Sequence, residues 1–300
     1  MERPLRTHLP VVTRGRLRGR LTPYWLALPG WLWLLIFFVV PTLVMLSLST
    51  QSGSIETGFR QTFDVANYSQ TWSQFHVQFI RSILYGLIAT VLCLLIGYPV
   101  AYWIAFRGGT RKSSLLFLIL LPFFVSFVIR TQSWQFMLSD HGMVLGLMRT
   151  LHLAGSGAQI LQTSTAVVGG LVYNFLPFTV LPIYVALERV DPALLEASAD
   201  LYANKATAFR KVVLPLSLPG VFAAVLLTFV PVASDYVNAQ ILGGAKTTMI
   251  GTVIQTEYFT NLNYPTAASL SFILMGVLLV GIFLYARLLG TQDVLEMAAA

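Results

Sequence analysis

Six stretches of this chain are apolar for long enough to cross a bilayer: residues 24–48, 79–106, 114–138, 163–187, 217–240 and 265–289. A membrane-spanning helix needs roughly 20 consecutive, mainly apolar residues. The fifth stretch is the least uniform, because Asp235 and Asn238 lie near its end. Charge is correspondingly scarce: 56% of the residues are hydrophobic and only 10% are Asp, Glu, Lys or Arg. A soluble domain of this length needs far more charge to cover its surface. The chain therefore reads as an all-α membrane protein with six transmembrane helices. Residues 1–23 form a basic N-terminal tail, and residues 24–300 form the membrane domain.

The basic residues orient the spans. With the N-terminus inside, fourteen of the 19 lysines and arginines fall on inner segments: Arg3, Arg6, Arg14, Arg16, Arg18, Arg20, Arg107, Arg111, Lys112, Arg189, Lys205, Arg210, Lys211 and Arg287. The other five, Arg60, Arg81, Arg130, Arg149 and Lys246, fall on the outer side or at outer span ends. The positive-inside rule then puts both termini in the cytoplasm. The tail R-G-R-L-R-G-R abuts the first span, so attraction to anionic lipid accounts for it better than nucleic acid does. The first apolar stretch is too long for a signal-peptide core and is expected to stay as an anchor. Cys93 falls mid-span and reads as a small packing residue.

Prolines and glycines punctuate the spans. Pro29, Gly30 and Pro41 predict a kinked first span. Residues 49–78 form an outer loop with a short surface helix near residues 65–75. Gly142, Gly146, Gly155 and Gly157 argue against one long helix across residues 139–162. Gly169, Gly170, Asn174, Pro177 and Pro182 predict an irregular, closely packed fourth span.

Enzyme chemistry is not evident. Gly243-Gly244-Ala245-Lys246-Thr247 lacks the spacing of a phosphate loop and falls on the outer side. His8, His76, His141 and His152 have no metal-ligand spacing. Ser139, Asp140 and His141 are adjacent, so their side chains diverge and do not make a hydrolytic triad. No bound cofactor is expected.

The cytoplasmic segment 188–220 carries four acids and four basic residues between two spans. It opens on Asp191-Pro192, closes with Pro215 and Pro219, and holds an amphipathic stretch suited to a short helix on the membrane face. Such a helix is a handle for a soluble partner. Within it, Glu196-Ala197-Ser198 is followed after three residues by Tyr202, and nine residues later by Val212-Val213-Leu214-Pro215. Asp200, Leu201 and Ala203 continue the pattern. This resembles the E-A-A, Gly, I-x-L-P loop of permease subunits in bacterial binding-protein-dependent ABC importers. Ser198 stands for Ala, and Tyr202 stands for Gly, placing a bulky ring at a turn. Asn174 to Ala197 and Ile241 to Gly251 resemble the spermidine/putrescine branch of that family.

The resemblance implies a MetI-like permease fold in a bacterial inner membrane. It implies two permease subunits around a pore, two cytoplasmic ATPases that bind the ATP, and an external substrate-binding protein. It also implies that residues 196–206 form a coupling helix docking on an ATPase. Glu196, Ala197, Ser198, Asp200, Leu201, Tyr202 and Ala203 are the candidate coupling residues. Asp235 lies about 15 residues into the fifth span, in the outer third of a ~30 Å core. An acid there is costly against lipid, so it faces a pore or a partner such as Arg130. A carboxylate suits a cationic cargo, with Tyr236 beside it for cation–π attraction. Trp134, Tyr173 and Asn174 complete the candidate substrate path. The alternatives are a permease for another small solute, a gradient-driven secondary transporter and a non-transporting scaffold.

Overall fold

The computed structural model describes residues 18–288 except Ala154 and Ser156. Residues 1–17 and 289–300 lie outside the described residues, and with them most of the expected basic tail and the placement of the termini. Five helices are long and apolar enough to cross a membrane, and a bent pair brings the number to six.

The first span runs from Tyr24 to Ser49. It is built from α1 (Arg18–Leu34), a π turn (Leu35–Val39) and α2 (Val40–Ser49). The expected irregularity sits only before Pro41; the helix continues through Pro29 and Gly30. Proline donates no hydrogen bond and its ring crowds the carbonyl four residues back, and the wider π turn takes up that mismatch. The same device recurs at Phe209–Val213, ahead of Pro215. Nearly every side chain of the first span is exposed, and it meets the rest of the chain through α2, where the buried Ser49 accepts at its carbonyl from the Ser269 hydroxyl at 3.0 Å.

An antiparallel hairpin of β1 (Gln51–Ser54) and β2 (Gly58–Gln61) follows, with Gln51 opposite Gln61. Then α3 (Ala66–Arg107) runs for 42 residues, about 63 Å. It absorbs the separate surface helix expected near residues 65–75. The second span is thus one rod that projects well beyond the bilayer.

The third span is not the straight helix expected over 114–138. It divides into α4 (Lys112–Leu120), a 3-10 turn (Leu121–Phe124) and α5 (Phe127–Leu138). The two halves, 109–124 and 127–150, are bent by 89°. Pro122 sits in the first positions of the 3-10 turn, where a missing N–H costs least. Val125 then leaves the helix with φ −98° and ψ 139°. No residue of α4 is fully buried; it packs only through the half-buried Leu115, Leu116 and Ile119, so little holds the helix to its course. After α5 comes the short helix α6 (Met143–Thr150), in line with the glycine pattern.

The fourth span, α7 (Ser164–Glu188), is the opposite case. It is one unbroken helix despite Pro177 and Pro182, where an irregular span was expected. Twelve of its residues are buried, so packing against neighbouring helices holds it in line through both prolines. The expected close packing is present. A Cβ on Gly170 would sit 2.3 Å from the Leu242 side chain, and one on Gly220 would sit 2.5 Å from Ala186 Cβ. Gly169, by contrast, has open space.

A short helix, α8 (Pro192–Asp200), leads to the fifth span. That span starts earlier than expected, at Lys205, and ends at Ala233. It comprises α9 (Lys205–Ala208), the π turn and α10 (Leu214–Ala233). Pro215 and Pro219 therefore lie inside the helix and do not close the cytoplasmic segment. Residues 234–236 interrupt the helix, and α11 (Val237–Leu242) is a separate short helix where one span over 217–240 was expected. Finally come α12 (Ile250–Phe259) and α13 (Tyr264–Leu288).

The second, fourth and fifth spans form the core. Tyr85 and Ala89 pack with Leu171, Phe175 and Val232 toward the end that carries α11. Ala101 and Ile104 pack with Ile183, Leu187, Val213 and Ala224 toward the end that carries α8. A third cluster joins Phe79 and Ala233 to Leu270 and Leu274 of α13.

Candidate functional site

Local chemistry builds the inner site. Asp191 caps α8, its carboxylate accepting from the Ala193 N–H at 2.9 Å, and Pro192 occupies the first helical position. The helix ends in a Schellman motif: the Tyr202 N–H donates to Ala199 O at 2.9 Å and the Ala203 N–H to Ser198 O at 3.0 Å. That motif needs a left-handed residue at its turn, and Tyr202 supplies it with φ 58°. This explains why glycine is expected there. The tyrosine keeps the geometry at a cost of ~1–2 kcal/mol, and its ring escapes steric conflict by pointing outward, 97% exposed. Asn204 then caps the fifth span, its side chain accepting from the Thr207 N–H at 2.8 Å.

Only Ser198 of α8 is buried, with Leu195 half-buried beside it. Leu194, Leu201 and Tyr202 present an exposed apolar surface. The helix expected over 196–206 is displaced: it spans Pro192–Asp200, and Glu196 lies at its middle, not its start. A dipole role for Glu196 at a helix N-terminus is thereby removed, since that effect fades beyond the first turn. The reason is the Asp191-Pro192 pair, which starts the helix one turn early. Ala197 and Asp200 are exposed on α8, while Ala203 is half-buried in the turn that follows.

Long-range contacts build the outer site. The Asn174 amide on α7 donates to Thr131 Oγ1 on α5 at 3.2 Å and to Asn238 Oδ1 on α11 at 3.0 Å. Asn238 in turn donates its backbone N–H and its amide to the Asp235 carboxylate, at 2.8 and 3.3 Å. Thr131, Asn174, Asn238 and Asp235 are all buried. Both breaks serve this network: the bend in the third span brings in Thr131, and the break after Ala233 brings in Asp235 and Asn238. Trp134 and Tyr173 pack together nearby in sequence, ring centroids 5.3 Å apart. Tyr236 is about half exposed and does not share the burial of its neighbour Asp235.

A cavity of about 570 Å³ opens beside the network, lined by Phe123, Phe127, Arg130, Asn174, Phe175 and Phe178. Asp235 does not pair with Arg130: among the described residues the ion pair is Lys112 to Glu188, at 3.3 Å on the inner surface. Arg130 lies instead over the Phe123 and Phe127 rings, 4.9 and 5.7 Å from their centroids. Sequence reasoning missed Thr131 and the cavity phenylalanines. The signal available was Pro122, which marks where a span can break.

The family described as "binding-protein-dependent transport system inner membrane component" matches residues 97–289. The chain belongs to this family of inner-membrane permeases. Its polypeptide is 36% identical over 258 residues to the spermidine/putrescine transport system permease protein PotB of Haemophilus influenzae, covering 85% of this chain and 90% of that one. It is 32% identical over 268 residues to the same-named protein of Escherichia coli, covering 88% and 98%. A chain of a bacterial ABC transporter involved in the import of the acidic polysaccharide alginate shares the fold. There the TM-score is 0.70 with 20% identity, covering 92% of this chain and 98% of that one. The expected permease fold and the family resemblance read from residues 188–220 both stand. The chain is a transport component and not an enzyme.

Proposed function

We propose that this protein is a permease subunit of an ATP-driven importer that carries polyamines of the spermidine/putrescine class into the cytoplasm. The observation that carries this reading is the 36% identity to a spermidine/putrescine permease across 85% of the chain. The chemistry of the outer site supports it. Asp235 is a buried acid held by Asn238, which bonds to Asn174 in the cavity wall, and a carboxylate there offsets the charge of a passing ammonium. Trp134 and Tyr173 add aromatic faces to that route.

In this reading both termini and α8 face the cytoplasm, as the basic-residue asymmetry implies. A cytoplasmic ATPase receives α8 in a groove, with Leu194, Leu201 and Tyr202 as the apolar anchors and Glu196, Ala197 and Asp200 around them. ATP stays on that ATPase. A second permease chain, of different sequence, completes the pore, and an external binding protein delivers the polyamine. The test is co-purification of this chain with the ATPase and second permease, followed by ATP hydrolysis measured with and without spermidine-loaded binding protein. Stimulation by the loaded form is expected; equal hydrolysis with a binding protein loaded by an unrelated solute contradicts the polyamine assignment.

A further inference from the structure

Arg130 is only 8% exposed, and its Nε and Nη1 have no hydrogen-bond partner. It lines the cavity at the bend of the third span. Asn174 Oδ1 is a second buried atom there without a partner. A guanidinium cannot shed its proton in a protein, so burial leaves a full positive charge in a low-dielectric wall. Two aromatic faces solvate it in part, but they fill neither N–H direction. A site of this kind calls for an anion with in-plane acceptor oxygens, the geometry of a carboxylate.

Among the described residues no acid pairs with it. Asp235 is occupied by Asn238, and Glu188 by Lys112. A lipid phosphate is the rival partner, since the bend lies about 24 Å from one face of a ~30 Å core and so near the opposite headgroups; the pairing readout below separates the two. The cavity is open at Phe124 and Val125, which are exposed. An unneutralised Arg130 there also repels a cationic cargo. We infer that a carboxylate side chain of the second permease enters this cavity and neutralises Arg130 in the assembled pore. This rests on the permease-pair reading above, and it names the contact through which the pair recognises each other.

The test uses the co-expressed pair in membranes. Arg130→Gln is expected to lower recovery of the second permease on this chain at least fivefold while the amount of this chain in the membrane is unchanged. Arg130→Lys keeps the charge and should restore most of the pairing. Treatment of that variant with dicyclohexylcarbodiimide, an apolar reagent, should join the introduced amine to the facing acid as an amide. Mass spectrometry then identifies the acid, which is expected on the second permease. Pairing by Arg130→Gln at the wild-type level overturns the inference. So does a link to an acid of this chain, or loss of uptake with pairing intact, which would put the anion on the solute. These readouts do not use polyamine, so an error in the cargo leaves them interpretable.

Discussion

The inner helix α8 and the outer network at Asp235 are built in opposite ways. Hydrogen bonds around α8 join residues two to five apart in sequence: Asp191 to Ala193, Tyr202 to Ala199, Ala203 to Ser198 and Asn204 to Thr207. The helix holds its own shape, and most of its surface stays free. In the outer network Asn174 bridges 43 residues to Thr131 and 64 to Asn238. That site exists only when three spans are assembled, and its members are buried. A handle for a soluble partner must be preformed and exposed; a buried polar network is shared among the helices it joins.

The comparison predicts that damage to the network spreads, while damage to α8 stays local. The largest effect is expected from Asn174→Leu. It removes two buried hydrogen bonds and leaves Asn238 Oδ1 without its donor, while Thr131 keeps its bond to the Phe127 carbonyl. Membrane hydrogen bonds average ~0.6 kcal/mol, and the stranded partner adds desolvation, so a loss of about 1–3 kcal/mol is expected. Reversible unfolding in mixed micelles reads it; wild-type stability would break the claim that the network joins the spans.

Asp235→Asn comes next. It keeps the shape and the bond from the Asn238 N–H but removes the charge. Polyamine uptake should fall several-fold while the second permease and the ATPase still co-purify. The absence of an Arg130 pair means that Arg130→Gln should not rescue it, and rescue by the double variant would restore the ion pair as the account. Glu196→Lys should leave stability within ~0.5 kcal/mol, because the residue is exposed mid-helix. ATPase recruitment should still drop, and unchanged recruitment would take Glu196 out of the docking surface. The smallest effect is expected from Tyr202→Gly. It relieves a left-handed tyrosine but adds backbone freedom in the unfolded chain, for a net gain under about 1 kcal/mol. If uptake falls with that gain, the exposed ring itself touches the ATPase.

The same contrast explains what the residues disclosed on their own. Helix α8, its cap and its partner class follow from Asp191-Pro192 and the Glu196 to Pro215 spacing, because the interactions are local. Only its register was misplaced, since the motif was read as the helix start and the cap lies five residues upstream. The apolar stretches located the spans, because burial in lipid depends on composition. Proline did not reveal which spans break. Pro122 ends a helix that packs only lightly, through the half-buried Leu115, Leu116 and Ile119, whereas Pro177 and Pro182 pass through one with twelve buried residues. The outcome belongs to neighbours distant in sequence. For that reason Asp235 and Asn174 stood out as costly polar residues, while their link through Asn238 and Thr131 did not.

The central claim is that this chain moves polyamines only as part of an ATP-driven assembly. Proteoliposomes holding this chain, the second permease and the ATPase, supplied with labelled spermidine on its binding protein, test it directly. Uptake is predicted to require ATP and every component, and to be lost when any one is omitted. Spermidine accumulation by this chain alone, driven by an ion gradient without ATP, would contradict the account.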